Sequence, residues 1–301
     1  MQNLNLRLAE MLLRFAPKEG MNLSPVPGVS CIKFSKPDQR TKRRWRACLG
    51  IVAEGAKEIV LGRRVYPFSV GDFTAAPIEL PLVTRIVAAS PEKPFLGLLI
   101  DLEPRVLAEI AAQLPHDEAE KGESQSRALF LGKMNPRLLE AALRVAELFA
   151  NPEDAPILGP LAIKEALYHL LKTPEGPSIC RFVRSGNKTH QVCQAIYSMR
   201  SELAAEVDVP ALAKVANMSR TAFFKHFKEV TAVSPIQFQK RLRLLEARRL
   251  MVEQGETAER SAFQVGYNSP SQFSREYSRM FGKSPRRDVD GFISEKRSLF
   301  S

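Results

Sequence analysis

The sequence predicts an α+β chain in which a β-barrel or sandwich with flanking helices is followed by an all-α module. Three observations lead there. Short segments rich in branched and aromatic residues crowd residues 28–102 between turn signals, helical periodicity takes over after Leu102, and two stretches beyond Thr189 repeat at a shift of 50 residues. A chain of 301 residues is long enough for two globular domains.

Along the chain, the predicted strands are VSCIKF (29–34), ACLGIVA (47–53), EIVLG (58–62), RRVYPF (63–68), PLVTRIVAA (81–89) and FLGLLIDL (95–102). Gly55, Gly62, the Gly71–Asp72 pair, Pro77, Pro81 and Pro91 to Pro94 separate them. Several short strands at such intervals favour a compact barrel or sandwich. EPRVLAEIAAQL (103–114) follows as a helix and HDEAEKGESQS (116–126) as a polar turn region. In NPRLLEAALRVAELFA (135–150), Leu138, Ala142, Val145 and Phe149 recur at spacings of 4, 3 and 4, which makes one apolar helix face. That face suits packing on the chain's own sheet or a homodimer contact through helix 135–150. A further helix runs from Pro160 to Lys172, and TPEGPS (173–178) interrupts both periodicities, which sets a domain boundary at about 173–186.

Several residue classes bound the function. No apolar run reaches the roughly 18 residues of a membrane span, and the amino terminus mixes Arg7, Glu10 and Arg14 into its apolar positions, so a cytoplasmic chain with no membrane partner is expected. Cys31, Cys48, Cys180 and Cys193 form no CxxC pair and are expected as buried thiols; Cys31 or Cys48 would be a sensor only if exposed with a lowered pKa. The run KRRWR (42–46) reads as an exposed basic strand end with Trp45 packed inward, or as a site for an anionic effector or a DNA contact. The net charge is +11, and residues 181–301, with 21 Lys+Arg against 12 Asp+Glu, carry +9 of it. A near-neutral module followed by a basic one is the asymmetry expected when only the second meets a polyanion.

The repeat explains that asymmetry. At a shift of 50, Val215-Ala216 meets Val265-Gly266, Ser219 meets Ser269, Phe223 meets Phe273, Lys225 meets Arg275, Phe227 meets Tyr277 and Ser234-Pro235 meets Ser284-Pro285. Each copy reads as a short helix (PALAKVA, 210–216; ERSAFQVG, 259–266), a three-residue turn (Asn217-Met218-Ser219; Tyr267-Asn268-Ser269) and a second helix (RTAFFKHFKEV, 220–230; PSQFSREYSRMF, 270–281). Asn217 tolerates a left-handed backbone, Ser219 and Ser269 are N-cap residues, and Pro270 fits the first helical position. Two helices so joined make a helix-turn-helix, whose second helix can lie in the DNA major groove.

Phe223, Phe227 and Val230, like Phe273, Tyr277 and Met280, form the expected buried stripe. Facing away are Arg220, Thr221, Phe224, Lys225 and Lys228 in the first copy and Ser271, Gln272, Ser274, Arg275 and Arg279 in the second. Arginine bonds two acceptors on guanine, glutamine favours adenine and phenylalanine meets the thymine methyl, so these ten are the candidate DNA-binding residues and double-stranded DNA is the expected partner. Between the copies, SPIQFQKRLRLLEARRLM (234–251) sustains helical periodicity for about 17 residues, roughly 25 Å at 1.5 Å per residue. Such a strut would let one chain meet two successive major grooves, roughly 34 Å apart.

The runs LAKVANMSRTAFFKHFKEVTAVSPIQFQKRLRLLEARRLM (212–251) and GYNSPSQFSREYSRMFGKSPRR (266–287) resemble the DNA-binding domain of AraC/XylS transcription regulators, over about residues 187–288. The chain departs from that pattern at Asn217, where many members have Gly, and at Phe224, an outward position that is often polar. The resemblance implies base-facing roles for Thr221, Phe224, Lys225, Ser271, Gln272, Ser274 and Arg275. GAKEIVLGRRVYPFSVGDFTAAPIELPLVTRI (55–86) is similar to the cupin-like sensor domain of one AraC subfamily. That likeness implies a cupin-like barrel over residues 1–178 that binds a small-molecule effector of unnamed identity, with the following helices used for dimerisation. Residues 187–288 would then form the double helix-turn-helix domain and 289–301 a tail.

Many cupins bind metal through clustered histidines. Here only His116 and His169 fall in the front half, far apart and outside the predicted strands, so no metal or other cofactor is expected. No nucleophile elbow, phosphate loop or dinucleotide glycine motif appears either. The expectation is a promoter-binding regulator, activator or repressor, modulated by an effector and not an enzyme. The alternative is a cupin-type enzyme carrying a DNA-tethering domain.

Overall fold

Two strand patterns separate the two sheets of the front half. β4 (Cys48–Glu54) and β9 (Phe95–Asp101) are buried along almost their whole length, as strands covered on both faces are. With β1 (Gly20–Leu23), β2 (Val29–Phe34), β7 (Asp72–Ala76) and β10 (Phe130–Lys133) they form a six-stranded sheet of order β1-β2-β9-β4-β7-β10. β5 (Ala56–Leu61) instead alternates buried and half-exposed residues. With β3 (Thr41–Trp45), β6 (Arg64–Ser69) and β8 (Leu80–Ala88) it forms a four-stranded sheet of order β3-β8-β5-β6. The helix α1 (Gln2–Phe15) covers β2, β4 and β9 and buries Leu8 and Leu12 completely.

This computed structural model describes residues 1–38, 41–62, 64–115 and 127–298, with side chains through Gly291. The chain divides into two compact units, Met1–Thr41 with Trp45–His190, and Gln191–Ser301 with Lys42–Arg44. The expected polar turn at 116–126, including His116, lies outside the described residues, as do 299–301. Among the described residues no helix is long and apolar enough to cross a membrane.

All six predicted strands form, but the closed barrel does not. Neither sheet closes on itself among the described residues; each runs between two end strands, so the cupin-like barrel is corrected to two open sheets. The edges of the larger sheet are the four-residue strands β1 and β10, too short to carry pairing round to a further strand. These strands and β7 also escaped the sequence reading, and β3 was read only as the basic strand end at 42–46. Four or five residues hold barely two periods of alternation, and β7 is buried throughout, so it shows none. Its identity comes from its partners, β4 on one side and β10 on the other.

After β9 the chain adds α2 (Pro104–Gln113), α3 (Pro136–Glu147), α4 (Ala155–Leu171) and α5 (Gly176–Cys180). Pro136 and the Asn135 side chain, which accepts from Leu138 N, start α3 as the sequence indicates. The stripe proposed for a homodimer is corrected. Leu138, Ala142 and Val145 are fully buried and Phe149 nearly so, because α1 and α4 pack on α3 and Phe149 meets Phe15 edge to face at 5.8 Å. Helix 135–150 therefore offers no free apolar face to a second chain. It is α4 that leaves apolar residues outside: Ile157 is 73% and Leu161 62% exposed.

The cysteines are buried, and desolvation pushes the Cys31 and Cys48 thiols up to about 12. A thiol held protonated and out of solvent is a poor nucleophile, so neither is a reactive sensor in this fold. In the run 42–46, Trp45 turns inward while Arg43, Arg44 and Arg46 lie outside, and Arg46 approaches Asp101 at 3.4 Å.

Candidate nucleic-acid interface

The second unit is assembled from capped helices. α6 (Lys188–Ser201) leads in. The first copy then comprises α7 (Val209–Val215), capped by the Asp208 carboxylate on Ala211 N (3.0 Å), and α8 (Arg220–Thr231), capped by Ser219 on Ala222 N (3.3 Å). The strut is α9 (Pro235–Glu253), 19 residues and about 28 Å long. The second copy comprises α10 (Ala258–Gln264), capped by Thr257, and α11 (Pro270–Phe281), capped by Ser269. α12 (Pro285–Ser298) closes the unit and runs through most of the expected tail.

The duplication holds with one correction. The second helices match at a shift of 50, from the caps Ser219 and Ser269 to the left-handed ends Ala232 (φ 64°) and Gly282 (φ 77°). The first helices match at 49. Asp208 corresponds to Thr257, and the closing bonds Met218 N to Ala213 O and Tyr267 N to Ala262 O, each 2.9 Å, correspond likewise. The left-handed turn residues are therefore Asn217 (φ 49°) and Gly266 (φ 87°), Ala216 pairs with Val265 rather than Gly266, and Asn268 is one extra residue in the second turn. This accounts for Asn217, because the family's glycine and this asparagine answer the same demand for positive φ.

Phe223, Phe227, Phe273 and Tyr277 are fully buried and Val230 nearly so, whereas Met280 is only partly buried. On the opposite faces Arg220, Thr221, Lys225, Lys228, Ser271, Gln272, Arg275 and Arg279 are exposed, and Phe224 and Ser274 half-exposed. Among the described residues no acidic side chain pairs with Arg220, Lys225, Lys228, Arg275 or Arg279. The same holds for Lys283, Arg286 and Arg287, which the sequence reading did not assign although GKSPRR displays them.

The strut behaves oppositely, and here the sequence misleads. Its cations are engaged within the unit: Lys240 binds Glu276 (2.8 Å), Arg248 binds Asp288 (2.8 Å) and lies 4.7 Å over the Phe281 ring, and Arg249 binds Glu246 (2.7 Å). Burial works against ionised Glu276, yet hydrogen bonds from Lys240 and Tyr267 hold its carboxyl below the usual range. Arg243 donates to four backbone carbonyls. Among the described residues, the cations of α8, α11 and the start of α12 thus face outward without acidic partners, while four of the five on α9 are bonded, half-buried Arg241 being the exception.

Comparison with known proteins agrees with this arrangement. The family described as AraC-type transcriptional regulator N-terminus matches residues 25–178, and a helix-turn-helix domain matches 212–289. The HTH-type transcriptional regulator ExsA of Pseudomonas aeruginosa is 27% identical over 156 residues, 52% of this chain and 55% of ExsA. The transcriptional activator RhaS of Pectobacterium carotovorum is 26% identical over 184 residues, 60% of this chain and 63% of RhaS. The matched regions span less than two thirds of either relative. Crystal structures of ToxT from Vibrio cholerae share the fold at 12% identity. One has an unsaturated fatty acid bound (TM-score 0.61, 87% of this chain and 94% of that one), and another (E)-4-(8-methylnaphthalen-1-yl)but-3-enoic acid (TM-score 0.61, 88% and 98%).

The repeat also supplies a stability test. Ala232 holds a left-handed conformation that its counterpart Gly282 adopts without strain. Ala232→Gly is expected to stabilise the protein by about 0.5–1 kcal/mol, the left-handed penalty on alanine outweighing the added chain entropy of glycine. Urea unfolding reads this as a raised midpoint; an unchanged or lowered midpoint would show that Ala232 carries no strain.

Proposed function

We infer the role of this chain from its family: it belongs to the AraC-type transcriptional regulators, whose N-terminal pattern matches residues 25–178, just over half of its length. We propose that it is a DNA-binding regulator of transcription with no catalytic step of its own, acting in the cytoplasm. In this reading residues 187–288 bind promoter DNA and residues 1–178, with their two open sheets, form an effector-sensing domain. The observation that carries it is the pair of capped recognition helices whose outward cations have no acidic partner among the described residues, beside a strut in which Lys240, Arg248 and Arg249 do. Unpaired cations supply salt-dependent phosphate affinity, and Thr221, Phe224, Lys225, Ser271, Gln272, Ser274 and Arg275 supply base choice.

The front unit offers a place for an effector. Trp45, Phe68 and Phe95 wall a void of about 10 Å³ between the sheets, room for one water molecule. Lys57 lines it too, is 3% exposed, and holds its ammonium 4.7 Å from the Trp45 ring centre and 5.7 Å from that of Phe95. An ammonium set against aromatic rings beside such a void suits a ligand with an apolar body and an anionic end. Both ToxT ligands named above are carboxylic acids, and we propose that class for this chain, entering as the wall side chains part.

A second copy of the chain is proposed to dock on α4 through Ile157 and Leu161, since the α3 stripe is covered and the family likeness implies dimerisation by the helices after the sheets.

Three outcomes are expected. Arg275→Ala loses about 1–3 kcal/mol at its preferred base and relaxes selectivity there, as for a bidentate arginine–guanine contact; equal weakening on every sequence would reduce Arg275 to a phosphate contact. In a melting screen of the full chain, an apolar carboxylic acid at 100 times its Kd adds about 2.7 kcal/mol of stability, and Lys57→Met removes that gain; the same gain in both proteins would place the effector elsewhere. Sedimentation finds Leu161→Glu monomeric and the unaltered chain dimeric, and an unchanged state would remove α4 from the interface.

A further inference from the structure

The two reading heads are joined by more than the strut between them. Phe238 of α9 is fully buried and meets Phe227 of α8 at 5.4 Å, which fixes the first head to the strut through rings. Five residues further along α9, Arg243 reaches two separate segments at once. Its Nε donates to Leu203 O (2.8 Å) and its Nη2 to Ala204 O (2.9 Å) and Ala205 O (2.7 Å), all in the loop that enters the first head between α6 and α7. Its Nη1 donates to Gly266 O (3.0 Å), in the turn that precedes the second recognition helix. Buried Gln239 adds bonds to Leu203 O (3.3 Å) and Ala205 O (2.8 Å).

Gly266 completes the lock from the other side. A Cβ placed there would lie 2.1 Å from Ala204 O, and its φ of 87° already excludes ordinary side chains. The 203–205 loop is therefore held between the guanidinium of the strut and the bare backbone of the second turn. A planar fork with donors in fixed directions sets the position of all its acceptors together, which a flexible ammonium does not.

We propose that Arg243 is a positioning residue that fixes the separation and angle of the two recognition helices, so that the chain selects its operator by the spacing of the half-sites as well as by their bases. This rests on the DNA-reading role proposed above. Inserting one base pair between half-sites moves the second by about 3.4 Å and turns it by roughly a tenth of a helical turn, which a locked pair of heads cannot follow.

The test measures affinity of the full chain for its selected operator at the preferred spacing and with one base pair added or removed. Wild type is expected to lose at least about tenfold on either change, the scale of losing one head's specific base contacts. Arg243→Met is expected to lose less than threefold while keeping its base preferences within each half-site, and Gly266→Ala to behave likewise. Arg243→Lys, which keeps the charge and loses the fork, falls between. Should Arg243→Met fail to fold, the lysine variant and Gly266→Ala decide. A general loss of stability lowers binding to all spacings equally and leaves the ratio unchanged. Variants as strict as wild type would overturn the positioning role alone; a wild type without any bipartite preference would overturn the DNA-reading role with it.

Discussion

The second unit depends on how the side chains of one helix are divided. α9 holds the first head with buried aromatic and aliphatic residues, Phe238 and Leu242 among them, and the second with both an apolar cluster, Leu244, Ala247, Leu250 and Met251 against Ala262, Val265, Phe273 and Tyr277, and bonded side chains: Lys240 to Glu276, Arg243 to Gly266 O, Arg248 to Asp288. Asp288 also accepts from the hydroxyl of buried Tyr277 at 2.8 Å, so Arg248, Asp288 and Tyr277 tie α9, α12 and α11 at one point. Apolar packing tolerates small shifts, whereas charge-assisted hydrogen bonds set distances within tenths of an ångström. Both joints of α9 combine packing with such bonds, since Arg243 and Gln239 also bond the 203–205 loop that enters the first head.

This division also decides which charges are available to a polyanion. A carboxy-terminal surplus of +9 read from the sequence treats each Lys and Arg alike. The fold does not: Lys240, Arg243, Arg248 and Arg249 of α9 neutralise carboxylates or bond carbonyls, while the cations of α8, α11 and the start of α12 face outward without acidic partners among the described residues. In the proposed role, phosphate affinity comes from the second set, and shape from the first.

Much of this was legible in the residues, for physical reasons. Phenylalanine at 4, 3 spacing after a serine cap fixes which face of α8 and α11 is buried, and hence which ten side chains face outward. The offset of the repeat was not legible: Asn217 and Gly266 meet the same left-handed demand with different residues, so a shift of 50 without a gap looked complete. Arg243 was invisible as a clamp, because nothing in KRLRLLEARR distinguishes the arginine whose acceptors lie 38–40 residues back in the chain. In the front unit the apolar stripe of α3 was correctly found, but periodicity shows only that a face will be covered; α1 and α4, remote in sequence, cover it. The short edge strands carried too little pattern to be seen, and the strand spacing alone left barrel and sandwich open; the barrel came from the family likeness of residues 55–86.

The central claim is that one chain reads DNA with two fixed heads, and selection of its binding sites from a pool of random duplexes tests it most directly. The account predicts two half-sites about 10–10.5 base pairs apart from centre to centre, in one orientation and at one spacing. A single half-site, two half-sites at variable spacing, or no sequence preference would contradict it.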